Sequence, residues 1–385
     1  MNQNNLPSPQ DEINTVKIKD PLRKKRIVKK IIIAGAIILI LVLIYVFYNR
    51  YYLGSKPLNE SPGKPFQLSK KKEPVKVESP LNGEMVSEEQ ANTYPLAVVI
   101  ENHPDARPQS GLDKAAIIYE AIAEGGITRF LAVFNQNNVQ EIGPIRSARH
   151  YSVDWASEYK AYYTHAGGAP DALALIPNSP IYDLPHTNNY FTRKEYATVA
   201  SEHTLYSTSK SLYDLAQSKK YPTQISVEKL TYKEDEPAES RGDAKDITIN
   251  FSTDSYKATW TYDKEKNIYL RSLAGNPHKD RTTGTQLTAK TIVVIEVNRT
   301  SYTPPGGKNT FKFTNTGTGT ATVYQDGKTT KGTWKKPDQK TRTKYLDPQG
   351  SEIKLNRGVM WVETVPPGTD VTATTTPAAT TTPAS

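Results

Sequence analysis

The sequence contains no cysteine, and this absence excludes several kinds of chemistry. Its 385 residues offer no thiol nucleophile, no disulfide, no thiolate metal ligand and no cysteine to carry a lipid anchor. The sequence patterns of zinc metalloproteases, α/β-hydrolases, P-loop proteins and EF-hands are also missing. At about 100–200 residues per domain, the length allows two modest domains with additional segments.

The formal net charge of +9 does not belong to the part of the chain that is expected to fold. Residues 1–30 contain eight Lys/Arg and three Asp/Glu, and residues 49–80 contain seven and three. The remaining 34 basic and 34 acidic residues all follow position 80 and cancel. We therefore expect no nucleic-acid binding by the folded domains, and an anion-binding surface there can only be a local patch.

One long apolar run lies near the N-terminus. Residues 31–48 (IIIAGAIILILVLIYVFY) carry no charge and form about 27 Å of helix, enough to cross a bilayer core. Basic residues crowd the preceding arm (residues 1–30), so the positive-inside rule predicts a cytoplasmic N-terminus. A cleaved signal peptide is the alternative, but no small-x-small cleavage site follows Tyr48. These features predict an uncleaved signal anchor: a single-pass cell-membrane protein with its bulk outside the cytoplasm.

Composition divides the remainder into five segments. Residues 49–80, rich in Pro, Ser, Lys and Gly, predict an extracytoplasmic stalk, and the Thr/Pro/Ala-rich residues 367–385 predict a disordered tail. Residues 81–230 mix strand and helix patterns and predict an α/β domain. Residues 245–366 predict a mainly antiparallel β domain, and the acidic residues 231–244 predict an exposed linker. The expected fold is thus an α+β or α/β N-terminal domain followed by a mainly antiparallel β C-terminal domain, both behind a single N-terminal transmembrane helix.

Local patterns within the α/β domain predict individual elements. Residues 116–123 (AIIYEAIA) fit either a strand or a helix, while Ser152 is expected to N-cap one helix and Pro170 to begin another. The expected strands are residues 95–101, 127–134, 139–145 and 162–165.

The β domain shows alternating runs with a single clear hairpin signal. Asp326-Gly327 is a dipeptide typical of tight hairpin turns. The expected strands are residues 247–251, 258–262, 268–271, 291–297, 311–314, 321–325 and 359–365.

The densest group of candidate site residues lies in residues 143–149 (GPIRSAR), here called the arginine loop. Arg146 and Arg149 are three positions apart, and two guanidiniums displayed together can bind a phosphate or a carboxylate bidentately. Neighbouring segments add further candidate ligand-binding residues: Glu101, Arg107 and Arg129.

Residues 164–170 (THAGGAP), here called the glycine loop, form a second candidate element. His165 is expected at a strand end, and Gly167 and Gly168 allow backbone N–H groups to approach a ligand in front of a helix N-terminus. Ligands of α/β sheets favour loops beyond the carboxyl ends of strands, where both loops are expected. The alternative is structural: the arginines pair with carboxylates in ion networks, and His165 only satisfies its strand end.

Catalytic and metal-binding patterns are weaker. The histidines at 103, 150, 165, 186 and 203 show no metal-ligand spacing, although folding could still gather them. We expect no metal site and no cofactor, and the catalytic residues, if any, stay unidentified.

Several strings resemble the YerB-like family of two-domain bacterial cell-envelope proteins of unknown function. The resemblance covers about residues 81–366, and EGGITRF and GPIRSAR are its most specific parts; the other matching stretches are residues 95–134, 164–172, 275–297 and 332–366. It implies an N-terminal α/β and a C-terminal β-rich domain and no known activity. This chain departs from the lipoprotein members because it lacks cysteine, so the apolar helix would replace the lipid as anchor.

The overall layout is also similar to that of the LytR–CpsA–Psr phosphotransferases. That similarity implies an alternative function, an Mg²⁺-dependent glycopolymer phosphotransferase acting on polyprenyl-pyrophosphate-linked substrates. The favoured hypothesis is an envelope binding or accessory protein with an arginine-lined anion site. Its partners would be the membrane, an anionic cell-wall polymer or lipid-linked precursor, and an envelope protein. A protein-interaction scaffold with purely structural arginines is the third hypothesis.

Overall fold

The computed structural model describes residues 21–53, 75–135, 138–196, 198–243, 245–305 and 309–375. The chain divides into two compact units, Met1–Lys72 and Glu73–Ser385. The described α-helices are α1 (Pro21–Tyr48), α2 (Glu88–Asn92), α3 (His150–Ser157), α4 (Pro170–Leu175) and α5 (Ser209–Ser218).

The first unit consists, in its described part, of α1 and a π-helical turn over Asn49–Leu53. Its stretch Ile33–Tyr51 is long and apolar enough to cross a membrane. The helix begins at Pro21, well before the apolar run, since Lys and Arg are good helix formers and Pro favours the first turn. Residues 1–20 of the predicted arm and 54–74 of the predicted stalk lie outside the described residues.

The second unit is built mainly of strands. Its first half contains β1 (Lys76–Glu78), β2 (Met85–Ser87), β3 (Leu96–Glu101), β4 (Ile117–Ile122), β5 (Thr128–Phe134), β6 (Tyr162–His165), β7 (Tyr182–Pro185), β8 (Thr192–Arg193), β9 (Leu205–Tyr206) and β10 (Tyr232–Lys233). Its second half contains β11 (Lys245–Asn250), β12 (Lys257–Asp263), β13 (Ile268–Leu273), β14 (Asn276–Pro277), β15 (Thr288–Ala289), β16 (Thr291–Glu296), β17 (Arg299–Tyr302), β18 (Thr310–Phe313), β19 (Gly317–Gln325), β20 (Lys328–Lys336), β21 (Lys344–Leu346), β22 (Leu355–Asn356), β23 (Met360–Val365) and β24 (Val371–Thr375).

A ten-stranded mixed sheet runs through both predicted domains in the order β21-β20-β19-β16-β23-β4-β5-β3-β6-β7. The two halves of the chain meet where β23 pairs in parallel with β4, with Trp361 opposite Ile118. β16 and β23 are also parallel, so the second half is less purely antiparallel than predicted. The α+β layout is confirmed, and the two segments share one sheet.

Both faces of this sheet are covered, which explains why its central strands are apolar without alternation. In β3, Val98 packs into the cluster that also holds Trp260, and the adjacent Val99 packs into the cluster that holds Trp155 of α3. The first cluster lies against a second sheet of order β14-β13-β12-β11-β24, in which β15 pairs with β13. Residues 116–123, whose sequence fits either a helix or a strand, contain the buried strand β4.

Three predicted boundaries are wrong. Val371–Thr375, within the expected disordered tail, forms β24 and pairs antiparallel with β11, because β11 would otherwise be an uncovered edge. Residues 376–385 lie outside the described residues. The expected exposed linker contributes β10, and Lys233 forms an ion pair with the buried Asp326 at 2.7 Å. The stalk prediction also fails at its end, where Lys76–Glu78 pairs with β2.

Two local predictions are also wrong. Residues 139–145 form no regular strand but make isolated bridges, including Ser110 with Gly143. Ser152 does not N-cap α3; the helix begins after Arg149, and the Ser152 hydroxyl accepts the Arg149 backbone N–H at 3.1 Å as the third helical residue. The hairpin at Asp326-Gly327 joins β19 to β20 as predicted.

Candidate functional site

The arginine loop and the glycine loop lie side by side. The Ala148 N–H donates to the Gly167 carbonyl at 2.9 Å, and the Ala166 N–H donates to the Arg146 carbonyl at 2.9 Å. The glycine loop follows the carboxyl end of β6, which pairs in parallel with β3. The arginine loop follows no regular strand and reaches β3 through an isolated bridge between Ile145 and Ile100. The two predicted elements are therefore adjacent, although the strand expected before the arginine loop is absent.

Arg146 belongs to a buried ion network centred on Glu101. Its Nε donates to Glu101 Oε1 at 2.9 Å, and the other carboxylate oxygen of Glu101 contacts His203 Nδ1 at 2.8 Å. Glu101 is 1 % exposed, so both of its oxygens are hydrogen-bonded within the protein rather than solvated. Arg146 also approaches Glu202, with Nη2 3.8 Å from Oε1. This arrangement matches the structural reading of Arg146 and Glu101.

Arg149 and Arg129 share one carboxylate, that of Glu124. Arg149 donates to it through both Nε, at 2.8 Å, and Nη2, while Arg129 reaches it only through Nη2 at 3.4 Å. Burial raises the pKa of Glu124, but the two guanidiniums outweigh burial and lower it to about 2. Burial and the charge of Arg149 lower the pKa of Arg129. We call these three residues the Glu124 cluster.

The Glu124 cluster has an excess of positive charge. The Arg129 side chain is 3 % exposed, and among the described residues its Nε and Nη1 have no hydrogen-bond partner. Buried guanidinium N–H groups are usually paired. Arg342 has a similar deficit, but its guanidinium stacks on Tyr159, whereas Arg129 shares its carboxylate with a second guanidinium. Glu124, at 29 % side-chain exposure, is the member most open to solvent.

The glycine loop provides less than the sequence suggests. His165 Nδ1 lies 2.6 Å from the Gly167 carbonyl and Nε2 lies 2.9 Å from Asp183 Oδ1, so both ring nitrogens are engaged within the protein. Gly167 has φ +62° and open space where a Cβ would point, whereas a Cβ on Gly168 would lie 2.9 Å from Leu173 Cδ2. Helix α4 behind the loop spans only Pro170–Leu175. The short helix offers a weak dipole to any anion.

Arg107 forms its side-chain hydrogen bonds with Asn102, and it has no ion pair with a carboxylate among the described residues. Its Nε donates to Asn102 Oδ1 at 3.0 Å, and its Nη2 donates to the Asn102 carbonyl at 2.9 Å. The guanidinium stacks over the Tyr256 ring at 5.0 Å. Arg107 thus joins the first half of the chain to the second sheet through a cation–π contact.

A buried triad that sequence reasoning missed connects the two halves of the chain. Arg271 of β13 donates to Glu363 of β23 at 3.0 Å and to Glu120 of β4, and none of the three side chains is exposed. Burial and, to a lesser extent, the negative charge of Glu120 raise the pKa of Glu363, and Arg271 lowers it. The net pKa is about 8. No signal in the sequence links residues so far apart.

One group among the described residues brings metal-ligand atoms together. His103, Asp105 and His203 place ligand atoms within 4.8 Å of one another. The sequence predicted no metal site, because His203 is a hundred positions from the other two.

Comparison with known proteins gives the family. Residues 81–222 match the family described as "Protein of unknown function (DUF3048) N-terminal domain", and residues 247–362 match its C-terminal domain. The chain belongs to this family. The "Putative lipoprotein YerB" of Bacillus subtilis is 27 % identical over 296 residues, covering 76 % of this chain and 87 % of that protein.

A crystal structure supports the same assignment at the level of fold. The structure of the YerB protein from Bacillus subtilis superposes with a TM-score of 0.68 at 25 % identity, covering 77 % of this chain and 99 % of that one. The resemblance inferred from the EGGITRF and GPIRSAR strings is thus confirmed. The family descriptions state no activity.

Proposed function

We propose that the protein is a membrane-anchored, extracytoplasmic accessory protein of the cell envelope that binds an anionic ligand at the Glu124 cluster. The observation that carries the proposal is the sharing of one carboxylate by Arg129 and Arg149, with two nitrogens of Arg129 unpaired. An additional anion would neutralise the excess charge. Guanidiniums favour phosphate or carboxylate groups, which they bind bidentately.

The accessibility of the cluster determines how such a ligand would bind. Arg149 is 11 % exposed and Glu124 is 29 % exposed at the side chain, so an anion would approach past Glu124. Glu124 would compete with the ligand for the same N–H groups. Removing the Glu124 charge should therefore strengthen ligand binding even though it weakens the folded state.

Two observations support the envelope location. Ile33–Tyr51 is long and apolar enough to span a bilayer, and its basic flank precedes it, which favours a cytoplasmic N-terminus. The similar protein of Bacillus subtilis is named a putative lipoprotein. Since this chain has no cysteine to acylate, the helix would act as the anchor, an uncleaved signal anchor in the expected topology.

The scaffold hypothesis has a specific observation in its favour. Arg146 and Arg149 each donate to a glutamate within the protein, as structural ion pairs do. We do not propose the Mg²⁺-dependent phosphotransferase activity, which rests on the similarity of layout alone.

The test measures thermal unfolding of the full chain in detergent with inorganic pyrophosphate, at constant ionic strength. A ligand at 100 times its Kd should stabilise the protein by about 2.7 kcal/mol. Arg149→Gln should lose this stabilisation, and Glu124→Gln should show it at lower pyrophosphate concentration. Arg357→Gln is the matched control, because Arg357 also holds two ion pairs, with Glu78 and Glu234.

The scaffold hypothesis makes a different set of predictions. Pyrophosphate would then have no effect beyond that of salt, and both Arg149→Gln and Glu124→Gln would only lower the melting temperature. That result, or equal stabilisation of the Arg149→Gln and Arg357→Gln variants, would refute an anion site at the Glu124 cluster.

A further inference from the structure

Two short helical turns, far apart in sequence, bring a pair of histidines together. His103 precedes the turn Pro104–Ala106 after β3, and His203 ends the turn Ser201–His203 before β9. Their rings stack with centroids 4.7 Å apart and planes 13° apart. The Asp105 carboxylate lies beside them, with Oδ2 3.6 Å from His103 Nδ1.

The orientation of His203 is fixed by a carboxylate behind it. His203 Nδ1 lies 2.8 Å from Glu101 Oε2, and a carboxylate can only accept, so Nδ1 carries the hydrogen. In the neutral ring the lone pair is then on Nε2, the atom that faces away from Glu101. Arg146 in turn holds Glu101 through its other oxygen at 2.9 Å. Metal-binding histidines are typically oriented in this way, by a hydrogen bond to a carboxylate from the ring nitrogen that does not bind the metal.

Exposure differs among the three residues in a way that suits an exchangeable ion. The His203 side chain is 8 % exposed, His103 33 % and Asp105 59 %. One ligand is therefore held by the protein interior, and two face solvent. A metal bound here would keep coordination positions for water or a further ligand.

We propose that His103, Asp105 and His203 bind one divalent transition-metal ion, for which Zn²⁺ is the best match, and that Glu101 positions His203. Two imidazoles and one carboxylate are the donors that Zn²⁺ and similar ions prefer. Bond lengths of 2.0–2.2 Å place tetrahedral ligand atoms about 3.3 Å apart. The present spread of up to 4.8 Å requires a closure in which the partly exposed His103 ring turns out of its stack on His203 and the exposed Asp105 side chain moves towards it.

A capping role for His103 does not account for the whole arrangement. His103 Nδ1 accepts the Asp105 backbone N–H at 3.3 Å, a contact that explains the turn but not the stacked second histidine. If both rings were protonated, their charges would repel at this distance. A bound cation would accept the lone pairs of both neutral rings and the carboxylate once the His103 ring turns and gives up the contact with the Asp105 N–H.

The proposal is tested by titrating Zn²⁺ into the untagged, chelator-treated full chain in detergent, with calorimetric detection. We expect one site per chain. Asp105→Asn changes an exposed side chain and should leave the thermal unfolding of the metal-free protein almost unchanged, whereas His103→Ala also removes the turn contact and the ring stack; both should lower Zn²⁺ affinity at least tenfold. Glu101→Gln should lower affinity about 10–100-fold with the stoichiometry retained.

His150→Ala is the matched control, because His150 Nδ1 also lies near a carboxylate, 3.3 Å from Asp154 Oδ2, but has no second histidine. It should bind Zn²⁺ as the wild type does. Absence of a site in the wild type, or affinities for His103→Ala and Asp105→Asn equal to the control, would overturn the proposal. The Glu124 cluster is not involved, so this result and the pyrophosphate result are independent.

Discussion

The buried triad of Arg271, Glu120 and Glu363 should make stability depend on pH through one residue. Two carboxyls share one guanidinium at zero exposure, and the pKa of Glu363 is raised to about 8. In the unfolded chain the same group has its usual pKa near 4.5. Between these values the native state holds a proton that the unfolded state has released. The contribution of this group to stability therefore falls as pH rises, by about 1.4 kcal/mol per pH unit.

The perturbation that isolates this effect is Glu363→Gln. An amide keeps the acceptor oxygen that takes the Trp260 Nε1–H at 2.8 Å and the Arg271 N–H at 3.0 Å, but it cannot titrate. Near pH 4.5, where the group is still partly protonated in the unfolded chain, we expect the variant to be within about 1 kcal/mol of wild type. From pH 6 to 7.5 the wild type should lose about 2 kcal/mol relative to the variant.

The assay is denaturant unfolding of wild type and Glu363→Gln in detergent at pH 6, 7 and 7.5, with Glu239→Gln, an exposed position, as control. Glu120→Gln should instead cost about 2 kcal/mol near neutral pH, because Arg271 loses a charge-assisted partner and Glu363 must ionise to replace it. If wild type and Glu363→Gln have parallel pH profiles, Glu363 is not the protonated member, and the argument is wrong.

Three further outcomes are expected. Lowering the pH from 4.5 towards 2 should destabilise wild type more than Glu124→Gln, by up to about 1.4 kcal/mol per pH unit, because a carboxyl group with a lowered pKa contributes stability that is lost as it protonates. Acid unfolding monitored by circular dichroism measures this difference. Equal profiles of the two proteins would refute it. Lys336→Met should destabilise by about 3–5 kcal/mol in denaturant unfolding, because it leaves the buried carboxylate of Glu158, 2.8 Å from Lys336 Nζ, without its cation; a loss below 1 kcal/mol would contradict this account. Gly168→Ala should lower the melting temperature more than Gly167→Ala. The first substitution adds a steric clash, and the second adds only backbone strain of about 1–2 kcal/mol, because Gly167 has a positive φ. The reverse order would show that the glycine loop is packed differently.

The sequence was sufficient for features that depend on local periodicity. The apolar helix, the hairpin strands 127–134 and the alternating strands of the second half all have patterns readable within ten residues. Adjacency of the arginine and glycine loops was expected on a wrong ground, because the predicted strand at residues 139–145 is absent and the two loops meet through backbone hydrogen bonds.

The partners of the charged residues could not be predicted, because pairing across a sheet is not encoded in spacing. Glu124 binds Arg149 from 25 positions away, and Glu101 binds His203 from 102 positions away. Whether an arginine is free to bind a ligand depends on which carboxylate lies beside it in the fold, and the sequence does not identify that carboxylate. The strand at 371–375 was missed because its Thr-rich composition resembles that of a disordered tail. Its formation depends on pairing with β11, which is distant in sequence.

The position of β23 has a consequence for biosynthesis. This strand comes from the last part of the chain, yet it pairs with β4 near the middle of the large sheet. While the polypeptide is still emerging, β4 has one edge with unpaired N–H and C=O groups, a template for aggregation. The sheet can close only after residue 365 is available, so folding must follow completion of the chain. A chain that stopped before β23 would still contain every earlier strand of the large sheet but would lack the strand that joins β4 to β16.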